Sequence, residues 1–135
     1  MNRIKSQSPF PIFLIKNHYG KGALNAIKTG METASSEAVL VIMADLSDSL
    51  DVVDKMYHLL HNSKYDIVCG SRYMKGGKQY GGPFIKGLFS MIAGLSLHFL
   101  TGINTHDISN SFKMYRKSML NNIKIESTGG FEIST

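Results

Sequence analysis

An α/β domain with a mostly parallel sheet flanked by helices is the architecture this sequence predicts, and three observations carry the prediction. The run Ala38 to Met43 (AVLVIM) is continuously apolar and of strand length, as a strand covered on both faces requires. Apolar residues at helical spacing lie on either side of it, Ala23, Ala26, Ile27, Gly30, Met31 and Ala34 before and Leu50, Val53, Met56, Tyr57 and Leu60 after. The connections are short, so strand, helix, strand, helix, strand reads as a sheet wound with right-handed crossovers. A chain of 135 residues suffices for one such domain with one core.

Taken in order, Ile12 to Ile15 is a short run of strand formers, ended by Asn17-His-Tyr-Gly-Lys-Gly22 with its two glycines. The helix after it, over 23–34, has a narrow, small-sided apolar face that can lie close to a sheet. Ala38 to Met43 is expected as the central strand. Ala44-Asp-Leu-Ser-Asp-Ser49 then supplies turn and cap residues for a helix with Asp51 and Asp54 near its positive end. Asp66 to Cys69 is the third strand. Residues 74–83 hold four glycines and two lysines and read as a loop.

Residues 84–101 read as an amphipathic helix. Gly87, Ser90, Gly94, His98 and Thr101 form one stripe, and Leu88, Ile92, Leu95 and Phe99 lie opposite. That apolar face is expected on the core, a membrane surface being the other place for it. Thr105 to Ser111 is a polar loop, Phe112 to Tyr115 an alternating strand, and Gly129 to Thr135 a helix start.

Composition excludes several classes. With 43% hydrophobic and 19% charged residues, 13 Gly and 3 Pro, the chain is neither disordered nor collagen-like. A single cysteine, Cys69, rules out an internal disulfide and a multi-thiolate zinc site, and fits a reducing compartment, the cytoplasm. No signal peptide is expected, because the run Pro9 to Ile15 is short, holds two prolines and is closed by Lys16. The net charge of +5 is unevenly spread: residues 1–30 carry no acid, 31–71 carry seven acids against two lysines, and the remainder is basic again. An acidic segment holding a metal between basic flanks that face phosphates would give this pattern, and so would ordinary solvated faces. Nucleic acid is not expected as a partner, since aromatic residues are not interleaved with the basic ones in a recognised motif.

Three polar clusters follow strands, where ligands of wound sheets gather. Asp45 and Asp48 come just after the most apolar strand, a place for a hard divalent cation shared with a diphosphate, or for a simple helix cap. Lys21 between Gly20 and Gly22 could meet a phosphate at a helix N-terminus, though the segment is not a Walker A loop. Arg72 in Gly-Ser-Arg offers a planar fork either to phosphate or to a carboxylate of the fold. His58, His61 and His98 have no partner at metal-ligand spacing and are read as structural. Cys69, inside an apolar strand, is read as a buried small residue rather than a nucleophile.

Five segments together resemble glycosyltransferase family 2, and within it the dolichyl- or undecaprenyl-phosphate sugar transferases. They are Gly20-Lys-Gly-Ala-Leu-Asn-Ala-Ile-Lys-Thr-Gly30, Val41-Ile-Met-Ala-Asp-Leu-Ser-Asp48, Gly70-Ser-Arg72, Asp107-Ile-Ser-Asn-Ser-Phe-Lys113 with Tyr115-Arg116, and Gly130-Phe-Glu132, in the family's order. The resemblance implies a GT-A (Rossmann-like) fold, a nucleotide-sugar donor, and transfer with inversion to an acceptor, here a polyprenyl phosphate met at the cytoplasmic face of a membrane by peripheral contact.

By the same resemblance, Lys21, Gly22 and Asp45 would bind the donor and Arg72 and Lys86 the acceptor phosphate, with Asp107 positioning or activating the acceptor. Asp45 and Asp48 would hold Mg2+ or Mn2+. Met43 stands where the first carboxylate of the usual Asp-x-Asp belongs, and Lys113 replaces a common arginine. The family's first strands, which bind the nucleoside, have no counterpart before Ile12. The chain is therefore expected to be a partial catalytic domain over 1–135, an internal fragment without transferase activity by itself. The alternative is a non-catalytic nucleotide-sugar-binding or regulatory module of the same fold.

Overall fold

The structure is a computed structural model, and it describes residues 8–45, 48–72, 92, 94–100, 102, 105, 107 and 110–126. Helix α1 (Ala23–Thr33) leads to strand β1 (Ala38–Val41). A 3-10 turn (Leu50–Val52) then runs into α2 (Val53–Asn62) and on to β2 (Ile67–Cys69). Residues 94–100 are helical, and β3 (Lys113–Arg116) passes directly into the short α3 (Lys117–Asn122).

The three strands form one sheet in the order β1-β3-β2, with β3 antiparallel to both neighbours. Strands β1 and β2 therefore run in the same direction without touching. The register aligns Ala38 with Arg116 and Val41 with Lys113 on one side, and Ile67 with Tyr115 and Cys69 with Lys113 on the other. Because side chains alternate across a strand, this register sorts the core into two layers. Met114, Phe112, Leu40 and Val68 meet Met56 and Leu60 of α2, while Val39, Val41 and Tyr115 meet Ile27 and Met31 of α1. The sheet is thus covered by a helix on each face.

Two basic residues at the end of β3 fasten those helices. The Arg116 guanidinium donates to the carbonyls of Leu60, Ser63 (3.2 Å) and Tyr65 (3.0 Å) at the end of α2, and pairs with Asp66 at 3.3 Å. Lys117 Nζ donates to the carbonyls of Met31 (2.8 Å) and Glu32 (3.1 Å) in the last turn of α1. Both cations sit at the negative end of a helix dipole and satisfy carbonyls that the helix leaves open.

Several expectations are corrected. The central strand is β3, not Ala38–Met43, and the pairings among the described residues are antiparallel rather than mostly parallel. The physical reason is that β3 is buried at Lys113, Met114 and Tyr115, whereas the apolar run of β1 ends in Ile42 and Met43, which lie beyond the strand and exposed. Ile12 to Ile15 forms no strand. No described strand pairs with it, and Phe13 is 76% exposed.

The expected apolar face is not shielded as a whole along the helical residues 94–100, since Phe99 is 84% exposed while Gly94 is buried and Leu95 and His98 are both half-buried. Leu50 and Tyr57 are also exposed, leaving Met56 and Leu60 to carry the buried face of α2. The expected loop over 74–83 and the expected helix start over 129–135 lie outside the described residues, as do residues 84–91 of the expected helix.

Candidate active site

The register places three polar segments at one end of the sheet. Val41, Lys113 and Cys69 stand side by side across the three strands. Beyond them the chain continues as the turn at Asp45 after β1, as Gly70-Ser71-Arg72 after β2, and, entering β3, as the approach from Thr105 through Asn110. Helix α1 runs against these strands, its last carbonyls meeting Lys117 at the far end of the sheet. Its N-terminus, with Lys21 and Gly22, is accordingly directed to the end where the three segments converge.

At the centre lies an ion pair. Asp107 is 1% exposed, and both its oxygens accept from Arg72: Nη2 donates to Oδ1 at 2.8 Å and Nε to Oδ2 at 2.9 Å. The backbone N–H of Arg72 adds a third bond to Oδ2 at 3.0 Å. This is the forked geometry that a guanidinium makes with a carboxylate, and it fixes the plane of the arginine. The Arg72 side chain remains 32% exposed.

Lys113 adds charge beside the pair. It is only 5% exposed, and burial pushes its ammonium below the ordinary range against the attraction of Asp107. Its cross-strand partner Cys69 is pushed the other way by burial, which keeps the thiol protonated, with Lys113 and a hydrogen bond from Thr105 opposing. With Arg72 and Lys113 positive and Asp107 negative, the cluster carries a net positive charge. Gly70 is required here by close approach, because a Cβ would overlap the Phe112 ring and lie 3.2 Å from the Phe112 carbonyl oxygen. The Gly70 N–H donates to that carbonyl at 2.9 Å.

The acidic segment is organised around its own turn. Asp45 is exposed, and Asp48 Oδ2 accepts from the N–H of Met43 at 3.1 Å. Among the described residues no group of three or more His, Cys, Asp or Glu side chains could hold a metal. Two carboxylates are nonetheless what a magnesium-type cation needs when a diphosphate supplies the remaining oxygens, so the residues present fit such an ion.

At Gly22, φ is +119° and no side chain caps the helix, so its first N–H groups are left to other partners. The preceding loop is tied to α1: Asn17 Oδ1 accepts from Tyr19 N–H at 2.9 Å and from Thr29 Oγ1 at 3.0 Å, and Tyr19 donates to Glu32 at 2.6 Å. Lys86 lies outside the described residues. His61 pairs with Glu37 at 3.4 Å, at the opposite end of the sheet.

Thr105 reads in the sequence only as a member of a polar loop, and Asn110 as that and as a member of the family-like Asp107–Lys113 segment, although a run so rich in short side-chain donors and acceptors signals bonds to neighbouring backbone. Lys113 was noticed as a replacement for arginine, and its burial had no signal in the sequence.

Comparison with known proteins gives the family of the chain. Residues 2–124 match the family described as Glycosyl transferase family 2, and the chain belongs to that family. Among its relatives, the dolichol-phosphate mannosyltransferase of Pyrococcus furiosus is 30% identical over 126 residues, covering 90% of this chain and 35% of the relative. The polyprenol monophosphomannose synthase of Mycolicibacterium smegmatis is 32% identical over 81 residues, covering 60% and 28%. The dodecaprenyl-phosphate galacturonate synthase of Rhizobium johnstonii is 26% identical over 111 residues, covering 82% and 31%. The chain thus spans about a third of the length of these relatives. Among the described residues no helix is long and apolar enough to cross a membrane.

Proposed function

We propose that this chain carries the transfer site of a glycosyltransferase that moves a sugar, with inversion, from a nucleotide-sugar to a polyprenyl phosphate. The observation that supports it most is the convergence of Asp45, Arg72 and Asp107 at one end of the sheet, set by the alignment of Val41, Lys113 and Cys69. The names of the relatives, each a polyprenyl- or dolichyl-phosphate sugar synthase or transferase, support the acceptor class.

In this reading Lys21 and the open N–H groups at Gly22 attract the donor's diphosphate. Asp45 with Asp48 holds Mg2+ or Mn2+, which when bound neutralises charge on the departing diphosphate. Arg72 and Lys86 receive the acceptor phosphate, with Lys113 adding positive charge from below. An acceptor phosphate is ionised near neutral pH, so its oxygen can attack the anomeric carbon without a strong base. Asp107 accordingly serves by orienting Arg72, since its two oxygens already accept three bonds from that residue. Orientation of this kind makes attack effectively unimolecular.

Calorimetric titration of the chain with farnesyl phosphate, a soluble polyprenyl phosphate, tests the acceptor assignment. Arg72→Gln and Lys86→Gln should each weaken binding about ten-fold or more, the loss of one charged hydrogen bond. Their effect on nucleotide-sugar binding with Mn2+ should be smaller. The opposite ranking would put both residues on the donor.

A further inference from the structure

Two side chains of the segment entering β3 grip residues that follow β2: Asn110 Nδ2 donates to the Gly70 carbonyl at 2.9 Å, and Asp107 holds Arg72. Among the described residues, side chains add to the Gly70–Phe112 backbone bond in making this attachment. Asn110 is its hinge pin. Its Oδ1 accepts from Phe112 N–H at 3.3 Å while its own N–H donates to the Asp107 carbonyl at 3.3 Å. The Asn110 side-chain amide therefore joins the Gly70 backbone to the start of β3, while its backbone N–H joins the residue that orients Arg72. Asn offers a donor and an acceptor on separate atoms of one short, planar side chain, so both bonds can be made at once.

We propose that Asn110 is a positioning residue for phosphate recognition, acting through Asp107 on the direction of the Arg72 fork. The inference rests on the reading of Arg72 as a phosphate ligand. A guanidinium recognises phosphate through its plane, so a small rotation of the Asp107 segment misdirects the bonds while leaving the charge in place. Asn110 itself contacts no substrate in this account.

The test is a double-mutant cycle on farnesyl phosphate affinity, with thermal melting run on every variant to fix a temperature at which all are folded. Asn110→Ala removes both amide bonds. Asn110→Ser leaves the charge unchanged and keeps an oxygen that can accept from Phe112 N–H but is too short to reach the Gly70 carbonyl, which guards against a variant that fails to fold. Arg72→Gln removes the charge and keeps an amide donor within reach of Asp107.

Each Asn110 variant should raise the dissociation constant at least about three-fold in the wild-type background and leave it unchanged in the Arg72→Gln background, because coupled residues are non-additive. Affinity for nucleotide-sugar with Mn2+ should not move. A merely structural Asn110 would lower the melting temperature without this coupling. Unchanged affinity in both Asn110 variants, or additive effects, overturns the positioning role and leaves the Arg72 reading intact. If Arg72→Gln binds farnesyl phosphate as the wild type does, the Arg72 reading falls and the role of Asn110 falls with it.

Discussion

Asp107 is a fully buried carboxylate whose oxygens accept three bonds from Arg72, whereas the Arg72 side chain is 32% exposed. Asp107→Ala, which leaves the guanidinium to water, should therefore lower stability by about 1–3 kcal/mol in urea denaturation. Glu126→Ala, which breaks the exposed 3.1 Å pair with Lys124, should stay within about 0.5 kcal/mol of wild type. Equal losses would mean that Asp107 is not held as described.

Tyr115 gives a second test at this scale. Burial between α1 and the sheet pushes its phenol up to about 12 from an ordinary 10, so between those values the folded chain binds the proton that the unfolded chain has released. Stability is then lost as pH rises from 10 toward 12. Tyr115→Phe, with nothing to titrate, should lose less stability across that window in chemical denaturation. Parallel pH profiles for the two proteins would contradict the burial of the phenol. Lys113 works in the opposite sense: its lowered pKa means that stability rises as pH climbs from its folded value toward the ordinary lysine range.

At the scale of elements, the periodic segments were legible and the pairing was not. Helices over 23–34 and from Leu50 follow from apolar spacing, and α1 and α2 are there, with Met31, Met56 and Leu60 buried. Strand order is a different matter, because a continuous apolar run says that a segment is shielded, not which neighbour shields it. Lys113-Met-Tyr-Arg116 looks too polar for a centre strand, yet it takes that position. Its two terminal cations have partners at opposite ends of the sheet: Lys113 beside Asp107, Arg116 on the end of α2. The six residues of α3 carry too little periodicity to be seen.

The Gly30 of the family-like Gly20–Gly30 segment also needs a structural account. It is in the interior of α1, and a Cβ there would meet nothing among the described residues. Gly30→Ala should thus stabilise the chain by about 0.5–1 kcal/mol, the ordinary helix gain. A melting temperature lower than wild type would show that another segment packs closely on this point of the helix.

For the molecule as a whole, family likeness singles out Asp45, Arg72 and Asp107 in the sequence, and position after a strand singles out the first two as well. Their mutual geometry was out of its reach, since it depends on β3 entering between β1 and β2. That insertion sends the segments after Val41 and Cys69 and the segment before Lys113 to a common end, and leaves Asp66, Arg116 and His61 at the other. The account therefore has a spatial core, one polar end that would hold metal, diphosphate and acceptor phosphate together.

Paramagnetic broadening of amide NMR signals by Mn2+, added with a nucleoside diphosphate, tests that core most directly, because the effect depends on distance from the ion. Signals of residues 43–45, 70–72 and 110–113 should broaden together, and those of 60–66 and 116–118 should stay sharp. Asp45→Asn should abolish the effect. Broadening centred on Asp66 and Arg116, or broadening at Asp45 that spares Arg72 and Asn110, would contradict a single site at this end of the sheet.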